Sequence, residues 1–147
     1  MADQDRKTLS LEVCALDRAS IKLDAVEVSV PGVQGVFIVL PGHAPLLSII
    51  EIGELIAVQP NGERSLFAVN GGFTQVLENH VLVLTQTVEM DADIDMERAA
   101  AARDRAEQRL KKPDPTIDIV RAETALKRAL TRIKIAERSG GDVSRKE

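Results

Sequence analysis

Hydrophobic and polar residues change rhythm once along this chain. From Leu9 to Val88 they run in short alternating stretches, TLSLEVC, AVEVSV, GELIAVQ and ERSLFAV, followed by HVLVLTQTV, which is rich in β-branched residues. A two-residue period buries one face of a strand, so each stretch predicts a strand. Gly and Pro punctuate the gaps, and the seven glycines before position 100 are expected in turns. The clearest hairpin is Gln59-Pro60-Asn61-Gly62-Glu63, where Asn-Gly supplies the positive φ angles of a tight reversal. Asn70-Gly71-Gly72 and Glu78-Asn79 read as further reversals. Many short strands without a helical period predict an antiparallel sandwich or flattened barrel.

Beyond Glu89 the period becomes helical. In DADIDMERAAAARDRAEQRL, Ala99, Ala102, Ala106 and Leu110 recur at steps of three and four among strong helix formers. Lys111-Lys112-Pro113-Asp114-Pro115 forbids continuation, and Asp114-Pro115 suits the cap and first position of a second helix. There Ile119, Ala122, Leu126, Ala129, Ile133 and Ala136 keep a 3-4-3-4-3 spacing, the seam of a helix lying along one partner, and Ser139-Gly140-Gly141 is expected to end it. The expectation is a β + α chain: an N-terminal antiparallel β-sandwich over 1–90, then a C-terminal antiparallel two-helix hairpin over 91–147. Two helices lined with alanine bury little surface, so the hairpin is expected to be held loosely and to have alternative positions.

Charge sharpens the division. Residues 1–90 hold five Lys or Arg against eleven Asp or Glu, net −6, while residues 91–147 hold fourteen against twelve, net +2. The two parts are expected to meet different partners. The single Cys14 excludes an internal disulfide and suits a reducing compartment; it reads as a small apolar strand residue. The chain has no Trp or Tyr, which removes the stacking platforms of single-strand nucleic-acid binders. No apolar run approaches the ~20 residues of a membrane helix. MADQDRKTLSLEV lacks the features of a signal or transit peptide, so the mature chain is expected to start there.

Catalytic chemistry finds no residues here. His43 in LPGHAPLL and His80 beside a turn have no accompanying nucleophile or metal-ligand spacing, so no catalytic and no metal site is expected. Gly32 and Gly35 are not followed by a phosphate-cradling Lys-Ser/Thr pair. Asp91, Asp93 and Asp95 suit the start of a helix better than a calcium loop. The arginines are more informative. Arg98 and Arg105 stand seven apart on the first helix, and Arg121, Arg128 and Arg132 share a flank of the second. Facing stripes of like charge repel unless carboxylates or an anion lie between them. A basic helical module binding nucleic acid or another polyanion is the alternative, and the net negative charge opposes it.

Four stretches carry a resemblance: VPGVQGVFIVLPGHAPLL at 30–47, NGGFTQVLENHVLVLTQTVE at 70–89, IDMERA at 94–99 with its continuation to Leu110, and RAETALKRALTRIKIAE at 121–137. With them the chain resembles the epsilon-subunit family of F-type ATP synthases. It departs from that family's usual Glu-Leu-Gly type sequence at Val36-Phe37-Ile38. The resemblance implies a non-catalytic subunit of a rotary, proton-translocating complex, placed peripherally at the cytoplasmic face of the inner membrane. Its implied partners are the gamma subunit, the membrane ring of c subunits and the alpha and beta subunits, with no nucleic acid and no required cofactor. The resemblance also implies a hairpin that inhibits hydrolysis when extended. Some relatives bind ATP there as a regulatory ligand through an Ile/Leu-Asp-x-x-Arg-Ala motif. Ile94, Asp95, Arg98 and Ala99 match that motif, and Glu89, Arg105, Arg121, Arg128 and Arg132 stand at fitting positions. The implied site has arginines on the phosphates, with Asp95 and Glu89 contacting the base or organising the arginines.

Overall fold

The computed structural model describes residues 7–112 and 114–143, with side chains described as far as residue 140. The chain divides into two compact units, Met1–Val88 and Glu89–Glu147. Glu89 is the first residue of the second unit.

The first unit is built from β1 (Leu9–Ala15), β2 (Arg18–Ala25), β3 (Glu27–Gly32), β4 (Gly35–Val39), β5 (Leu46–Val58), β6 (Arg64–Leu77) and β7 (His80–Thr85). The chain leaves it through the three-residue β8 (Val88–Met90). The strands join in the order β2-β1-β7-β6-β5-β3-β4. Their inner faces supply one core that includes Leu9, Leu11, Val13, Val28, Val30, Val39, Leu55, Phe67, Val76, Val81 and Val83. The Asn61-Gly62 reversal is present, with Val58 paired to Arg64, but only Gly62 takes a positive φ, 86°; Asn61 contributes instead through its side chain, Oδ1 accepting from Glu63 N at 3.0 Å. Glu78 and Asn79 make the β6–β7 turn with φ 49° and 60°.

Two strands beyond the stretches that the sequence marks as strands complete the sheet: β2, which alternates at Ala19, Ile21, Leu23 and Ala25, and β4, a continuous apolar run. Two expectations are corrected. First, one neighbour pair is parallel: β1 lies beside β7, with Leu11 opposite Val81 and Val13 opposite Val83. Second, Asn70-Gly71-Gly72 is no reversal, and not all seven glycines lie in turns. Arg64–Leu77 is one strand running through all three residues, and Gly53 lies inside β5. What the glycines do instead is turn the strand over. Phe67 and Val69 are buried before the pair and Thr74 and Val76 after it, so the inward face passes from odd to even positions. Gly71 and Gly72, at φ 78° and 127°, supply the backbone that other residues avoid. Sandwich corners are made by such bends, which carry a strand from one layer to the other.

The second unit holds a 3₁₀ turn (Asp91–Asp93), α1 (Met96–Lys111) and α2 (Ile119–Val143). Asp95 caps α1, its Oδ1 accepting from Arg98 N at 3.1 Å. Four alanines, Ala99 and Ala106 on α1 and Ala122 and Ala129 on α2, are buried. Each pair is seven residues apart, so the small stripes match in length and permit close approach of the backbones.

Here too the structure amends the reading. Asp114 is not the cap of α2. It closes a turn of its own, Oδ1 accepting from Thr116 N at 2.9 Å, and Asp118 caps α2 by accepting from Arg121 N at 3.1 Å. Pro115 cannot then be the first helical residue, and Pro113 lies outside the described residues. Ile119 is 61% exposed and drops out of the seam, whereas Ile135, which the spacing left out, is fully buried. The helix also runs through Ser139-Gly140-Gly141 to Val143. Glycine in a helix costs about 1 kcal/mol against alanine but leaves the i→i−4 hydrogen bonds intact, so it weakens without terminating.

Candidate functional site

A cavity of about 280 Å³ opens beside the first turns of α1. Its lining is Glu89, Asp93, Ile94, Asp95, Arg98, Ala99, Ala102 and Arg105 with Arg132 from α2. The structure thus brings together seven of the nine expected residues: Glu89, Ile94, Asp95, Arg98, Ala99, Arg105 and Arg132. Arg98 and Arg105 share a face because seven residues make close to two helical turns. Ala99 and Ala102 contribute small side chains to the lining.

Electrostatics follow from who is paired. Arg132 Nε donates to Glu89 Oε2 at 2.5 Å, the two side chains being 33% and 35% exposed. Asp95 spends one oxygen on the α1 cap, and the adjacent Asp91 accepts from Ser139 Oγ at 2.9 Å. Among the described residues the Arg98 and Arg105 side chains make no ion pair, while Arg103, off the cavity, pairs with Asp104 at 3.1 Å. Three carboxylates and three guanidiniums therefore line one space, and two of the guanidiniums are open to an anion. The arrangement can hold a phosphate by charge-assisted, fork-shaped hydrogen bonds.

Arg121 and Arg128 do not reach this space. Arg121 lines a separate cavity of about 380 Å³ with Arg109, Thr116, Ile117, Asp118 and Ala122. Arg128 is half-buried and lines neither cavity. Spacing on one helix fixes the face but not the end. In an antiparallel pair, Arg132 lies opposite the start of α1 and Arg121 opposite its end, with eleven residues, roughly 16 Å of helix, between them. Two lining residues, Asp93 and Ala102, lie outside the expected set. Ala102 stands three positions from Ala99 on the same face, so helical periodicity reaches it, whereas the sequence marks Asp93 only as a charge at a helix start.

Among the described residues no group of three His, Cys, Asp or Glu is placed to hold a metal ion. No described helix is long and apolar enough to cross a membrane.

Known proteins share both units in the same order. Residues 8–91 match the family description of the ATP synthase delta/epsilon chain, beta-sandwich domain. Residues 92–137 match the same family's long alpha-helix domain. The ATP synthase epsilon chain of Bacillus licheniformis is 42% identical over 130 residues, 88% of this chain and 98% of that one. That of Desulfitobacterium hafniense is 43% identical over 129 residues, covering 88% and 96%. A chain in the cryo-EM structure of the Euglena gracilis mitochondrial ATP synthase assembly of OSCP, F1 and c-ring superposes with a TM-score of 0.77 over 88% of this chain and 81% of that one. At 22% identity this last likeness speaks for the fold alone. With both domains matched in order and these relatives alike over nearly their full length, the chain belongs to the delta/epsilon chain family of F-type ATP synthase, among its epsilon chains.

Proposed function

We propose that this chain is a non-catalytic subunit of the central stalk, helping to couple proton-driven rotation to ATP synthesis, and that its hairpin brakes ATP hydrolysis under the control of bound ATP. In this reading the β unit meets the gamma subunit and the ring of c subunits, and the hairpin meets the alpha and beta subunits. The whole then sits peripherally at the cytoplasmic face of the inner membrane. An outward apolar row supports a docking role for the β unit: Ile49, Phe73 and Leu84 stand in register across β5, β6 and β7, and all three are about half exposed. Contiguous exposed apolar surface marks interaction sites. The helical unit is compact in itself, which suits a part that moves as one body.

The single observation that carries ATP sensing is the convergence of Arg98, Arg105 and Arg132 on one cavity walled by Glu89, Asp93 and Asp95. The residues fit the ligand's chemistry, guanidiniums for the phosphates and carboxylates to contact an amino-bearing base or, like Glu89 on Arg132, to organise the arginines. At about 280 Å³ the space lies just below the range of small-molecule sites, so it takes part of a nucleotide and leaves the rest at the surface. Arg121 and Arg128, outside the cavity, are expected to matter less. A free nucleic-acid module gains no support, because the cavity's arginines are matched by as many carboxylates.

Calorimetric titration of the chain with ATP tests the proposal. Binding is expected to be lost in Arg98→Ala and kept in Arg103→Ala, whose guanidinium is engaged elsewhere. No heat with millimolar ATP, or equal losses in both variants, would remove the pocket.

A further inference from the structure

We infer that Glu89 is a built-in competitor for the phosphate: its carboxylate holds Arg132 while the cavity is empty and so sets the ligand concentration at which the site fills. This rests on the reading of the cavity as a nucleotide site and assigns one of its residues a role opposite to that of a ligand contact. The three arginines are unequal. Arg98 and Arg105 have no ion pair among the described residues, whereas Arg132 is bonded to Glu89 at 2.5 Å. The bond links residues 43 apart, tying the segment ahead of α1 to the middle of α2.

An anion that engages all three arginines must take Arg132 from Glu89. It then meets a released carboxylate of its own sign lining the same space, with the solvent only partly screening the two. An ion pair about one-third exposed and worth ~1 kcal/mol leaves Arg132 free in roughly one molecule in six. Apparent affinity falls by the competent fraction, so the carboxylate weakens anion binding about sixfold. The same exchange makes hairpin geometry and ligand occupancy depend on each other. Without ligand, Glu89 fastens α2; with ligand, the anion does so by bridging α1 and α2.

Titration of the full chain with inorganic tripolyphosphate, alongside ATP, tests this in the natural sequence, Glu89→Gln, Arg132→Gln and the double variant. Tripolyphosphate has no base, so it reports only how available the arginines are. Glu89→Gln keeps the size and the hydrogen-bonding oxygen and removes the charge. It is expected to bind tripolyphosphate about sixfold more tightly, and the gain is expected to vanish when Arg132→Gln is added. Helical circular dichroism confirms that the variants are folded. Should Glu89→Gln lose helix, Glu89→Asp, with its shorter reach to Arg132, is expected to give an intermediate gain. If the natural chain binds ATP while Glu89→Gln binds tripolyphosphate equally or more weakly, the competitor role is wrong and the nucleotide site stands. If no variant binds either ligand, both fall together.

Discussion

Replacing Gly72 by alanine probes the corner that makes one hydrogen-bonded path into two layers. Gly72 pairs with Ile50 on one side and Thr85 on the other, at φ 127°. A Cβ there would stand 1.9 Å from Leu84 O and 2.9 Å from Leu84 C. The obstacle is backbone, so no rotamer change relieves it and β7 must move away from β6. The backbone angle alone costs an alanine ~1–2 kcal/mol, and forced separation in a packed core adds ~1–3 kcal/mol. A loss of about 3 kcal/mol in a domain of this size lowers the melting temperature by roughly 12–24 °C. Gly62→Ala is the control. At φ 86° it meets nothing within 4 Å, so only the backbone cost applies, ~1 kcal/mol or about 4–8 °C. Scanning calorimetry is the suitable assay, because the chain has no Trp or Tyr to report by fluorescence. Equal shifts for the two variants would refute the reasoning, since the approach to Leu84 would then cost nothing.

Three further outcomes are expected. Asp95→Ala removes the α1 cap and should cost about 1 kcal/mol, seen as faster hydrogen exchange at the Arg98 amide; Asp95→Asn, which can still cap, should retain most of the protection. Ala129→Leu puts a large side chain on the buried seam and should lower hairpin stability by ~1–3 kcal/mol in helical circular dichroism melts, while Leu at exposed Ala101 should leave them nearly unchanged. Asp114 accepts hydrogen bonds from Thr116 N and Oγ1, which hold its carboxyl below the ordinary aspartate value. A depressed folded value means that the turn's stabilisation is present above the ordinary aspartate range and is lost as pH falls through the folded value. An NMR titration of the Asp114 carboxyl carbon should place its midpoint below that of an unstructured aspartate, and Thr116→Val, keeping only the backbone donor, should move it part of the way back.

Local chemistry was legible in the sequence wherever a short-range rule sufficed. The change from a period of two to a helical one announced two kinds of structure, Asn61-Gly62 announced its hairpin, and the alanines announced a close-packed helix pair. IDMERA announced a capped helix start whose Arg98 faces the same way as Arg105. Each depends on residues a few positions apart. What the tertiary structure decided depends on distant partners. Gly71-Gly72 looks like any reversal until the strands on either side show that the chain continues through it and changes its inward face. Asp114 and Asp118 are both plausible caps, and only the path of the connection chooses Asp118. Arg121 and Arg132 lie on one flank of one helix, yet antiparallel packing sends them to opposite ends of α1. Glu89 joins Arg132 across 43 residues, a pairing no local pattern encodes, because the energy that fixes it comes from the packing of two helices rather than from the residues next to it in the chain.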